Sequence, residues 1–214
     1  MPYRTTPLAT GEYYHIFNRG VAKGNIFTST YDFRRFVTTM KYYAIDGPKP
    51  RFSLFAPTTQ ILDSAKKIVA FNAYCLMPNH FHFLLKQERD GGISEFISKL
   101  INSYTKYFNT KYKRVGPLLQ GQFKAVHIDS DEQLLHVNRY IHLNPSVAYL
   151  VKMLRDYRWS SYPEYLAKGL GICEKDNILN QFIGNKSYEN FVLDQEDYGR
   201  TLSSIQHKLI DFDD

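Results

Sequence analysis

His80 and His82 stand two positions apart in Leu-Met-Pro-Asn-His-Phe-His-Phe-Leu-Leu, residues 76 to 85. Successive side chains of an extended strand point to opposite faces, so both imidazoles project on one side and Phe81, Phe83 and Leu85 on the other. The strand has one wet face and one greasy face. Two imidazoles held at that spacing converge on a point above the sheet, where a divalent metal would sit. Seven histidines in 214 residues make a chance pair unremarkable, so the surroundings must weigh in. Pro78-Asn79 sets a turn directly before the pair, at a strand start near a sheet edge that solvent and substrate can reach.

A second stretch has the residue types for a nucleic-acid strand. From residue 96 to residue 128 there is no acid, while Lys99, Lys106, Lys111, Lys113, Arg114 and Lys124 are interleaved with Tyr104, Tyr107, Phe108, Tyr112 and Phe123. Phosphates need the charge and bare bases need flat partners. A solvated helix face with its tyrosines in the core fits the same residues equally well. The wider charge balance favours a polyanion: residues 170–214 hold nine acids and four bases, which leaves 12 acids and 23 bases, about +11, in residues 1–169.

The chain is long enough for one well-buried domain and an appendage. No apolar run reaches membrane-spanning length and the start has no apolar signal core, so a cytoplasmic protein without membrane attachment is expected. Cys75 and Cys173 are far apart and outside any Cys-x-x-Cys pair. They read as reduced thiols rather than a zinc or disulfide framework.

The elements that must position these residues follow from periodicity. Residues 1 to 11 read as a loose arm, and residues 13 to 19 as a strand stopped by Gly20. Thr30 caps a helix through Phe33, Phe36, Val37, Met40 and Ala44, ended by Gly47-Pro48. Residues 48 to 66 look irregular, with 62 to 67 open to a helical turn. Residues 68 to 77 and the His strand form a hairpin about Pro78-Asn79. A helix through Ile93, Phe96, Ile97, Leu100, Ile101, Tyr104 and Phe108 follows. Residues 118 to 128 read as a fourth strand, and Ser130 with Gln133 as a capping box for the next helix. The order is strand, helix, strand, strand, helix, strand: an α+β, ferredoxin-like βαββαβ sandwich, a four-stranded antiparallel sheet with helices on one face.

One further helix completes the set. On it, Leu134, Val137, Asn138 and Ile141 share one side, and His136, Tyr140 and Asn144 form an adjoining stripe one turn apart. By spacing alone, Asn144 before Pro145 suits a helix end and Tyr140 an ordinary core-edge tyrosine. The pieces 178–183 and 188–193 of the acidic tail read as helical.

Five blocks carry a resemblance: Tyr-His-Ile-Phe-Asn-Arg-Gly at 14–20, the His block at 76–85, Gln-Gly-Gln-Phe-Lys at 120–124, Tyr-Ile-His-Leu-Asn-Pro at 140–145 and Trp-Ser-Ser at 159–161. Together they resemble the single-tyrosine His-hydrophobic-His (HUH) transposases of bacterial insertion sequences, above all the REP-associated tyrosine transposases. The resemblance spans residues 12 to 165. It implies residues 1–165 as a catalytic domain with a catalytic-tyrosine helix, and residues 166–214 as an acidic, mostly helical C-terminal extension. It makes His80 and His82 the metal-binding pair, Asn144 the third metal ligand and Tyr140 the nucleophile. It also implies single-stranded or hairpin DNA as the partner, and in many relatives a homodimer.

The chemistry implied is metal-dependent cleavage and strand transfer of single-stranded DNA through a 5′-phosphotyrosine on Tyr140. The covalent bond keeps the phosphodiester energy, so no nucleotide cofactor is needed. Two imidazoles and one amide suit a loosely held Mg²⁺ or Mn²⁺. Asn18, Arg19, Lys106, Lys111, Lys113, Arg114 and Lys124 are the expected DNA contacts. His127 and His136 are candidate bases, and His142 is expected to be structural. Two rival readings are a domesticated, non-cleaving protein that binds hairpin nucleic acid, and an unrelated metal-dependent hydrolase built on His80 and His82.

Overall fold

The computed structural model describes residues 7–46, 52, 66–166 and 171–195. In chain order these form β1 (Tyr13–Arg19), α1 (Thr30–Tyr43), β2 (Val69–Met77), β3 (His80–Gln87), α2 (Gly92–Lys111), β4 (Lys124–Ile128), α3 (Asp131–Val147), α4 (Tyr162–Leu166), α5 (Asp176–Leu179) and α6 (Gly184–Leu193). The strands make one sheet in the order β2-β3-β1-β4, and every pairing is antiparallel. That is the ferredoxin-like arrangement, in which each of two crossover helices returns the chain past an intervening strand. The helical turn considered at 62–67 and the arm before residue 7 lie largely outside the described residues.

The sheet is covered on both faces. Ile16, Phe71, Phe81, Phe83 and Leu85 pack with Phe36 and Met40 of α1 and with Phe96, Leu100 and Tyr104 of α2. On the opposite face Ala73, Cys75, Met77 and Leu84 meet Leu134, Ile141 and Leu143 of α3. This corrects the expectation of a wet face on the His strand: α3 lies over it, and His82 is only 6% exposed. The reason is visible in β2, all nine residues of which are buried. A strand greasy on both sides needs a layer on each.

The helix ends depart from expectation in small, explicable ways. Ser29, not Thr30, caps α1, because Asp32 stands at the third helical position and closes a reciprocal capping box with it. Asp32 is fully buried and also accepts from Tyr107 Oη at 2.9 Å, Tyr112 Oη at 2.8 Å and Lys111 Nζ at 2.7 Å. At α3, Ser130 caps the Gln133 N–H as expected, but the Gln133 amide reaches Asp129 N at 2.7 Å instead of returning to the cap residue. Strand β4 begins at Lys124, since residues 118–123 form a loop bridged to Gly20 at Leu119. Helix α3 does not end at Asn144: it runs through Pro145 to Val147. Only the N–H toward the Ile141 carbonyl is lost there, a small penalty in a last turn.

The segment after α3 closes the free edge of β2. Leu76 N–H donates to the Trp159 carbonyl at 2.9 Å, Tyr157 Oη donates to the Leu76 carbonyl at 2.7 Å, and the Trp159 ring stacks on Phe33 at 4.7 Å. An open edge would otherwise present unpaired backbone groups. Helix α6 lies on α3 through the buried Tyr188 and Val192, and α5 packs on α6, with Ile178 in the same core. The Tyr188 hydroxyl donates to Asn138 Oδ1 at 2.6 Å and meets His142 Nδ1 at 2.6 Å.

Candidate active site

The turn before β3 is clamped from outside. Gly20 N–H donates to the Asn79 carbonyl at 2.7 Å, and the Ile26 and Phe27 N–H groups converge on the Pro78 carbonyl at 2.8 and 3.0 Å. Gly20 is required for that approach, since a Cβ there would lie 2.0 Å from the Gly24 carbonyl oxygen. Asn79 Nδ2 donates to the Lys23 carbonyl at 3.2 Å, which leaves Asn79 Oδ1 facing His80 Nδ1 at 2.6 Å. The loop after β1 therefore fixes the first histidine of the pair.

Strand β1 fixes the second. Phe17 pairs with His82 and Arg19 with His80 in the β1–β3 register, so Tyr13, His15, Phe17 and Arg19 share the face of the imidazoles. His15 Nε2 lies 2.9 Å from His82 Nδ1, and the two rings stack at 5.1 Å. The motif reading missed His15. Its alternation in Tyr-His-Ile-Phe placed it on one face of β1, but nothing in the sequence says which face or which register against β3.

Helix α3 brings Tyr140 to this group from above. Its ring stands edge-on to His82 at 5.5 Å and to His15 at 5.8 Å, within one chain, and is 51% exposed. The phenol thus stands at the mouth of a cleft whose floor holds the histidines. Asn144, one turn on, donates Nδ2 to the Tyr140 carbonyl at 2.8 Å, and its amide also interacts with the His80 ring and the Tyr140 hydroxyl.

Desolvation dominates the electrostatics. Burial lowers His15 and His80 each to about 4, and it holds His82 well below its ordinary value, with the neighbouring His15 and His80 adding to the effect. Burial thus favours the uncharged form of all three rings, the form in which an imidazole can ligate a cation. Burial raises the Tyr140 phenol above its usual pKa, against a lowering contact from Asn144. The donor set of two neutral imidazoles and one amide oxygen fits a divalent cation that keeps much of its water. Among the described residues no group of three or more His, Cys, Asp or Glu side chains could hold a metal, so a charged ligand cage has no counterpart here.

The expected DNA contacts divide. Arg19 lies next to His80 and bonds Gln120 Oε1 through Nε at 2.7 Å. Lys124 pairs with Phe17 and so shares the histidine face. Asn18 is 6% exposed, with Oδ1 accepting from Arg19 N–H and Nδ2 reaching the Gly121 carbonyl. It braces the strand end and presents nothing to a ligand. Lys111 is committed to buried Asp32, and Lys106 sits on α2 across the sheet from Tyr140. Lys113 and Arg114 follow α2, where the Arg114 guanidinium lies over Phe108. His127 faces the α1/α2 layer, beside Tyr14 and between Glu12 and Asp129. His136 meets Arg139 and Glu132. His142 is fully buried between Tyr188 and Ser161. None of these three imidazoles lines the cleft.

Comparison with known proteins gives a family match over part of the chain, and a fold. Residues 48–144 match the family model described as IS200-like transposase. Solved structures that match include a REP-associated tyrosine transposase bound to a REP hairpin, at TM-score 0.54 and 18% identity, over 80% of this chain and 88% of that one. No functionally curated protein matches the sequence.

Proposed function

Residues 48–144 match the IS200-like transposase model, and from this match we propose that the chain belongs to that family and cuts and rejoins single-stranded DNA, with Tyr140 as nucleophile. The observation that carries the reading is Tyr140 standing over His82 and beside Asn144 in the same chain. The Tyr140 residue is half-exposed, with its phenol partly desolvated beside the histidines. In the proposed step the Tyr140 oxygen bonds to phosphorus, the bond to the 3′ oxygen breaks, and a 5′-phosphotyrosine and a free 3′-OH result. Attack by another 3′-OH reverses the exchange and joins a new strand without a nucleotide cofactor.

The protein's own groups have defined tasks in this scheme. Asn144 holds the phenol and opposes its raised pKa, while Arg19 beside His80 meets the charge of the scissile phosphate. Lys124 extends the cationic face along the backbone. Mg²⁺ or Mn²⁺ held by His80, His82 and the Asn144 oxygen would supply Lewis-acid stabilisation of the phosphate and template the two oxygens. Hairpin DNA is the preferred substrate in this reading, supported by the fold shared with the hairpin-bound transposase.

The test is a covalent adduct. Oligonucleotides carrying hairpins from the flanks of the protein's own gene, incubated with Mn²⁺, should give a tyrosyl-linked product with the wild type and none with Tyr140→Phe. An adduct that survives in Tyr140→Phe rejects the assignment, and hairpin binding without any wild-type adduct favours the non-cleaving alternative.

A further inference from the structure

We propose that His15 is a positioning residue, accepting the Nδ1–H of His82 so that His82 presents its Nε2 lone pair to the cation site. The proposal rests on the metal reading above and adds a partner to it. An imidazole has two nitrogens on opposite edges, and a neutral ring carries one proton. Only the unprotonated nitrogen can ligate, so whatever holds the proton decides which edge faces the metal.

For His80 the choice is settled by connectivity. Asn79 spends its NH₂ on the Lys23 carbonyl, so its Oδ1 faces His80 Nδ1 at 2.6 Å. An amide oxygen only accepts, and His80 must therefore carry its proton on Nδ1 and keep Nε2 free. His82 has the same geometry with a different acceptor: its Nδ1 is 2.9 Å from His15 Nε2. One proton lies between two neutral rings there. If His82 donates, its Nε2 is free like that of His80, and the pair is matched. If His15 donates, His82 Nε2 carries a proton and the pair cannot ligate together. The stacking of His15 between Phe17 at 4.9 Å and His82 at 5.1 Å holds the accepting ring in place.

The experiment titrates the full-length protein with Mn²⁺ alone, followed by the electron paramagnetic resonance of the free ion. His15→Phe, which keeps a flat ring but removes the acceptor, should weaken Mn²⁺ binding about 10- to 100-fold, the usual loss for a group behind a metal-binding imidazole. His15→Gln, whose side-chain oxygen can accept, should stay much closer to the wild type. Equal losses in both variants, or binding by His15→Phe as tight as by the wild type, would overturn the proposal and leave the metal reading standing. A wild type that takes up no Mn²⁺ removes both. Should His15→Phe not fold, the long-range ¹H–¹⁵N spectrum of the EDTA-treated wild type decides: the proton is expected on His82 Nδ1, and finding it on Nε2 overturns the proposal.

Discussion

At the scale of single residues, position in the sheet separates cations that look alike in the sequence. Arg19 and Lys111 were both expected to touch DNA, yet Arg19 lies next to His80 and Lys111 is bonded to buried Asp32. Arg19→Ala should weaken single-stranded DNA binding across sequences and reduce the salt dependence by about one phosphate contact. Fluorescence anisotropy at several salt concentrations measures both effects. Lys111→Ala should leave that binding intact and instead cost about 1–3 kcal/mol of stability, because a buried carboxylate loses its charged partner. Chemical denaturation gives that value, and a large loss of DNA affinity in Lys111→Ala would contradict the placement. Asn18, buried and bonded to Gly121, belongs with Lys111 as support.

At the scale of elements, the site depends on a loop that grips a turn. The loop after β1 holds the Pro78 and Asn79 carbonyls and the Asn79 side chain, and Gly20 permits this because a Cβ would meet the Gly24 carbonyl oxygen at 2.0 Å. Gly20→Ala must therefore open the loop. The expected cost is about 1–3 kcal/mol, the range for forced overpacking, seen as a lowered thermal midpoint together with weaker Mn²⁺ binding. A variant with unchanged midpoint and unchanged binding would show that the grip is dispensable. Helix α3 works in the same manner on the other side of the cleft: Leu134, Asn138 and Ile141 anchor it, and that anchoring leaves Tyr140 and Asn144 on the open flank.

At the scale of the whole molecule, the C-terminal helices are tied to the tyrosine helix by a buried polar chain. Tyr188 joins Asn138 and His142, and His142 reaches Ser161 at 2.7 Å. Tyr188→Phe should cost about 1–3 kcal/mol, since Asn138 and His142 would keep buried polar atoms without a partner. Equilibrium unfolding measures it. Burial also lowers His142 to about 3, which fixes the sign of a pH effect. The unfolded chain takes up this proton near pH 6.5 and the folded one resists until about 3, so the contribution is complete above pH 6.5 and is lost as the pH falls. His15 and His80, each lowered to about 4, act in the same direction. Unfolding free energy in EDTA should decline from pH 6.5 toward pH 4, and a flat profile there would contradict the burial of these rings. Among the described residues no helix is long and apolar enough to cross a membrane.

The sequence by itself determined the parts that local periodicity controls. Period-two alternation put His80 and His82 on one face of a strand, helical spacing put Tyr140 and Asn144 on one flank of a helix, and element order specified the sheet. Family motifs then singled out Tyr140 among seventeen tyrosines. Only the tertiary structure decided which surfaces meet. It laid α3 over the face expected to be wet, brought His15 to His82 through the β1–β3 register, turned Asn18 inward and tied Lys111 to the buried Asp32. The physical reason is that side-chain direction along an element follows from backbone geometry a few residues at a time. Register and layer order depend on burial summed over residues far apart in the chain, and no local pattern records that sum.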